Sequence, residues 1–172
     1  MFDLIVEDGS GLPDADAYVS VAEVDAYFEK LGTPEAWECS ANIEEARQKD
    51  QAIRRATIAV DALFGHRFDG ERATVTQALV WPRVRVEYRF RDRVPSEIKS
   101  ATAELALRVR QGTDLMPDQT EATISERRVT VGPITTSTRY SGEGQSNSRR
   151  SFDAVEALLR PLLRQPGVLE RG

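Results

Sequence analysis

Arginine recurs at alternate positions in Trp81-Pro82-Arg83-Val84-Arg85-Val86-Glu87-Tyr88-Arg89-Phe90-Arg91-Asp92-Arg93, interrupted only by Glu87. In extended chain, successive side chains point to opposite faces. The pattern therefore predicts a row of guanidinium groups on one side and Val84, Val86, Tyr88 and Phe90 on the other. Guanidinium forks pair with phosphates or with a partner's carboxylates. Aromatic rings placed among them can stack on unpaired bases, the combination that holds single strands. A plain edge strand, with its apolar side on the core and its arginines in water, satisfies the same pattern. The net charge of −5 favours the edge strand or a protein partner, because nucleic-acid-binding surfaces are usually more basic.

Reacting groups are sparse. The one histidine, His66, follows a helix stop in Phe64-Gly65-His66-Arg67-Phe68, with no partner at a spacing that suits general-base work. Hydrogen bonding at a surface turn is the expected role. The one cysteine, Cys39, excludes an internal disulfide or a cysteine metal cage and reads as a small, partly buried hydrophobe. Asp14 and Asp16, like Glu44 and Glu45, sit beside helix starts, where carboxylates complement the dipole. Asp8-Gly9-Ser10-Gly11 lacks the alternating ligands and terminal glutamate of a calcium loop. No glycine pattern cradles a phosphate. The expectation is a protein that is not an enzyme and carries no cofactor or metal.

With 172 residues, 40% hydrophobic and 30% charged, the chain has an ordinary globular composition. No apolar run approaches the roughly 18 residues of a membrane span. Met1-Phe2-Asp3-Leu4-Ile5-Val6-Glu7 does not read as a signal peptide. The expected workplace is the cytoplasm or a particle assembled there. Charge is unevenly spread: residues 1–50 hold 13 acidic and 3 basic side chains, and residues 51–110 hold 7 and 12. Such polarity lets identical subunits meet head to tail. Of 23 basic residues only Lys30, Lys49 and Lys99 are lysines.

The elements that must position these residues are mainly helical. After an extended N-terminal arm closed by Gly9-Ser10-Gly11-Leu12-Pro13, the capping box Ser20-Val21-Ala22-Glu23 opens a helix to about Leu31, stopped by Gly32. Val21, Val24, Tyr27, Phe28 and Leu31 form its inward stripe. A longer helix is expected from Ile43 to Phe64, with Asn42 as cap and Gly65 as stop. Val75 to Trp81 reads as a short helical turn ended by Pro82, and Arg83 to Arg93 as extended chain. A third long helix runs from Pro95-Ser96 to Arg110, with Gly112 beyond it. Thr123–Val131 and Ile134–Tyr140 make a β-ribbon. Ser141–Arg150 is a polar loop, and Ser151 caps a last helix interrupted by Pro161. Trp37 and Trp81 are expected core anchors. The fold class is therefore mainly α: a bundle of about four helices with an inserted β-ribbon and an extended N-terminal arm. The domain reading has the arm and bundle at 1–112, ribbon and loop at 113–150, and the C-terminal helix and tail at 151–172, one domain overall.

The order of several blocks is recognisable. Asp16-Ala17-Tyr18-Val19-Ser20-Val21-Ala22-Glu23-Val24-Asp25-Ala26-Tyr27-Phe28 is followed by Trp37, by Ala52–Phe64, by Gln77-Ala78-Leu79-Val80-Trp81-Pro82-Arg83, and by Val94–Leu107. Over about residues 14–112 this resembles a family of small tailed-bacteriophage proteins, helical head–tail connectors or adaptors that also carry a DnaT-like single-stranded-DNA-binding label. The connector resemblance implies a structural virion protein of the neck, made in the host bacterial cytoplasm. It would form a homo-oligomeric ring of about twelve subunits docked under the portal protein. The ring would join the portal to the next neck or tail-completion protein, and packaged DNA would pass through without specific binding. The DnaT-like label implies instead a replication protein that binds single-stranded DNA. Residues expected to contact partners are Arg83, Arg85, Arg89, Arg91, Arg93, Tyr88 and Phe90, with Ile124, Val129, Val131, Ile134 and Tyr140 of the ribbon.

Overall fold

The computed structural model describes residues 4–38, 43–86, 93–116, 126–131, 134–139 and 152–164. The protein is mainly helical, as its patterning indicates. Helix α1 (Val21–Leu31) begins where Ser20 and Glu23 form a reciprocal capping box: the Ser20 hydroxyl accepts from the Glu23 amide, and the Glu23 carboxylate accepts from the Ser20 amide at 2.8 Å. Its buried side chains are Val24 and Phe28. Leu31, expected inside, is 64% exposed because it occupies the last position of the helix.

Helix α2 (Ile43–Phe64) buries Ala52, Ile53, Ala56, Thr57, Ala59, Val60 and Phe64. It packs chiefly on α3 (Ser96–Arg110), which buries Ile98, Ala101, Thr102, Ala103, Leu105 and Ala106. Small residues on both facing stripes let the two backbones approach closely. Gly112 closes α3 with φ 78°, its amide bonded to the Val109 carbonyl at 2.9 Å. Helix α4 (Asp153–Leu159) lies on α3 and runs into a 3-10 turn, Arg160–Leu162, at Pro161. Phe152, Val155, Leu159, Leu162 and Leu163 are buried, whereas Leu158 is only half-buried. Trp37 and Trp81 are both buried, Trp37 against Phe28 and Trp81 edge-on to Phe68. Withdrawing a large aromatic from water contributes about 4–6 kcal/mol before conformational entropy is counted, so these rings anchor the core as expected.

One sequence expectation holds with a refinement and one needs correction. Helix α2 ends at Phe64 with Gly65 after it, as expected, and the chain tightens there into a 3-10 turn over Gly65–Arg67. A Cβ on Gly65 would lie 3.2 Å from Val80 Cγ2, so the glycine admits a close neighbour instead of reversing the backbone. Val75 to Trp81 is not a helical turn. It is a series of bends, because its backbone groups bond to side chains and to distant backbone.

The N-terminal segment is extended and fastened. Val6 bridges Ala17 in parallel, and the Ile5 carbonyl accepts from the amides of Asp16 and Ala17 at 2.9 and 3.2 Å. Glu7, 1% exposed, has its carboxylate filled by the amides of Gly9, Gly11 and Leu12 at 2.8–2.9 Å. Those three bonds replace the water that burial removes.

The chain divides into two compact units, Met1–Leu115 with Phe152–Gly172, and Met116–Ser151. The second carries strands β3 (Glu126–Val131) and β4 (Ile134–Arg139), antiparallel, with Val131 opposite Ile134 and Glu126 opposite Arg139. The expected flanks of this ribbon, the Ser141–Arg150 loop and the Asn42 and Ser151 caps lie outside the described residues, as does Cys39. Among the described residues, no helix is long and apolar enough to cross a membrane.

Candidate nucleic-acid interface

The arginine segment grows out of a short antiparallel ribbon, β1 (Glu71–Arg72) and β2 (Arg83–Val84), in which Glu71 faces Val84 and Arg72 faces Arg83. Ten residues connect the two strands, and side-chain hydrogen bonds set their shape. The Arg72 guanidinium donates to the carbonyls of Gln77, Ala78 and Leu79, the last two at 3.1 and 3.0 Å. The buried Gln77 amide donates to the carbonyls of Leu79 and Pro82 at 2.8 and 3.0 Å. Thr74 and Gln77 exchange two further bonds, each backbone amide donating to the other's side-chain oxygen. Asp61 of α2 accepts from the Tyr18 hydroxyl at 2.5 Å and from the Val80 amide at 3.0 Å, while the Tyr18 oxygen accepts from the Trp81 amide at 3.2 Å. Burial raises the Asp61 carboxyl to about 6. Burial, followed by the neighbouring Asp61 charge, lifts the Tyr18 phenol well above its ordinary value.

Arg83 belongs to this scaffold and not to a solvent-facing row. It is 7% exposed and donates to the carbonyls of Asp69 and Gly70, each at 2.6 Å, with a longer approach to Phe68 at 3.5 Å. Burial, then the charge of Arg164, lowers its proton affinity. Gly70 allows the strand to turn back beneath this fork: its φ is 72°, and a Cβ there would lie 2.2 Å from the Val84 carbonyl oxygen.

The expected alternation breaks at Arg85. Its φ of 57° places it in the left-handed region, so the chain after β2 does not continue as regular strand. Arg85 is exposed and meets Glu71 at 2.7 Å, with side chains 75% and 62% exposed. Such a pair contributes at most about 1 kcal/mol and can exchange for another anion. Val86 packs against the core. Glu87, Tyr88, Arg89, Phe90, Arg91 and Asp92 lie outside the described residues. Arg93 is exposed where the chain returns, and Val94 and Pro95 are buried at the start of α3. Both ends of the segment are therefore held, one by the Arg83 fork and the other by the α3 entry.

Of the ribbon candidates, Val129 occupies the register position opposite Thr136 and Val131 the one opposite Ile134, while Ile124 and Tyr140 lie outside the described residues. His66 is exposed in the turn after α2. Among the described residues, no group of three or more histidine, cysteine or carboxylate side chains is placed to hold a metal. Sequence reasoning missed the scaffold of Tyr18, Asp61, Arg72 and Gln77. Gln77 sits in a block that reads as helical, and nothing local links Tyr18 to an aspartate 43 positions away.

A family model described as "Putative DnaT-like ssDNA binding protein" matches residues 2–172. No curated protein and no solved structure matches the chain. The family match overturns the connector reading, with its portal partner, twelve-subunit ring, virion neck and passive passage of DNA. Net charge summed over the whole chain hides the local field that a ligand meets. Acidity is concentrated in residues 1–50, whereas residues 51–110 carry 12 basic against 7 acidic side chains. A ligand within a Debye length of about 10 Å responds to local charge.

Proposed function

We propose, because the chain belongs to this DnaT-like family, that it binds single-stranded DNA through the segment following β2, without bond-making chemistry of its own. The observation that carries the reading is the family match over residues 2–172. The fastened segment adds support, since it carries Arg85, Arg89, Arg91 and Arg93 together with Tyr88 and Phe90. In this mechanism the guanidiniums pair with successive phosphates while the two rings stack on bases, which every base permits, so sequence preference is slight. The buried Arg83 fork fixes the root of the segment and contacts no DNA. Glu71 yields Arg85 to phosphate at little cost, because their exposed pairing is weak.

The test is fluorescence anisotropy of a labelled oligothymidine with the full chain and with the Tyr88→Ala/Phe90→Ala double variant. Each stacked base is worth about 1–3 kcal/mol, so the double variant is expected to bind at least about 30-fold more weakly. Equal affinity of the two proteins would remove Tyr88 and Phe90 from the site.

A further inference from the structure

The chain's last described residues return to the root of the arginine segment. Leu163 bridges Phe68 in antiparallel sense, the Asp69 amide donates to the Leu162 carbonyl at 3.0 Å, and the Arg164 amide donates to the Arg67 carbonyl at 2.8 Å. Residues 67–69 are thus held from one side by this C-terminal return. From the other side, the Arg83 fork holds the carbonyls of Phe68, Asp69 and Gly70. Three stretches of chain, 67–71, 83–85 and 162–164, converge there.

Several cations meet at this junction. Arg67 is committed to Glu156 at 2.5 Å and Arg85 to Glu71 at 2.7 Å. Arg164 is exposed, and among the described residues no carboxylate pairs with it. It lies near enough to Arg83 to disfavour that residue's charge, as Arg72 also does, while Tyr18 and Asp69 favour it. An exposed guanidinium beside a second cation favours an external anion, which would meet Arg164 and leave the buried Arg83 untouched. We infer that Arg164, set beside Arg83 by the C-terminal return, is a further phosphate contact for single-stranded DNA outside the 84–93 segment. This inference rests on the function proposed above and adds to it a second stretch of chain.

The return is fastened by backbone atoms, so replacing the Arg164 side chain leaves it in place. Oligothymidine binding is measured across a salt series for the full chain and for Arg164→Gln, Arg164→Ala and Arg164→Lys, each checked for an unchanged thermal melt. Arg55→Gln is the control for charge alone. Arg55 is exposed on α2, nine residues or about 14 Å along the axis before its end. Loss of one phosphate contact is expected to shallow the log–log salt dependence by about 0.7 in the glutamine and alanine variants. The lysine and Arg55 variants should keep the parent slope. An unchanged slope in Arg164→Gln and Arg164→Ala, with binding still weakened by the Tyr88/Phe90 change, overturns this inference alone. Failure of the parent chain to bind overturns the proposed function, and this inference with it.

Discussion

Two arginines two positions apart, Arg83 and Arg85, have opposite fates, and their substitutions should separate accordingly. Arg83→Ala removes a buried fork that satisfies carbonyls of Asp69 and Gly70, and should lower stability by about 3 kcal/mol or more. Arg85→Ala breaks one exposed pair and should cost under about 1 kcal/mol. Urea unfolding of the two variants checks the contrast, and equal losses would place both side chains in solvent. Asp61 supplies a pH dependence. Its folded carboxyl titrates near 6 against an ordinary 3.8, so the folded state binds the proton more tightly than the unfolded chain does. Its contribution is therefore most favourable below about pH 4. It is lost as pH rises toward about 6, a difference on the order of 2–3 kcal/mol. Asp61→Asn should flatten the unfolding free energy between those values, and an unchanged pH profile would contradict the assignment. Neither effect was legible in the sequence. Alternation shows which residues are arginine, but burial of Arg83 depends on carbonyls 13 to 15 positions earlier in the chain.

Elements were more legible than contacts. The Ser20–Glu23 box, the alanine-rich stripes of α2 and α3 and the two strand runs of β3 and β4 all rest on local chemistry, which a single sequence carries. The connection between β1 and β2 was misread as a helical turn because its apolar content suits one. Its true shape comes from Arg72 and Gln77 bonding its carbonyls, information held in side-chain reach and not in periodicity. Gly70 is the backbone counterpart of that network. Gly70→Ala would meet both a left-handed φ of 72° and an oxygen 2.2 Å from the new Cβ. It should lower stability by at least about 2 kcal/mol, read as a drop in thermal midpoint. A midpoint equal to the parent's would mean that the ribbon is not closed there.

At the scale of the whole molecule, the sequence holds a resemblance that pointed two ways, and net charge chose the wrong branch. Basic residues are arranged along the chain so that the middle third differs in sign from the first, and function follows that local field more than the total. The aromatic and arginine residues of the candidate site were visible as a pattern, whereas its anchoring to α2, to the N-terminal segment and to the C-terminal return was not. The most direct measurement is a salt titration of binding to single-stranded and duplex DNA of matched sequence. If the four guanidiniums of the segment and Arg164 pair with phosphates while two rings stack on bases, single strands bind in preference to duplex, with a log–log slope of about −3.5. Equal binding to both forms, or none to the single strand at low salt, would contradict the account.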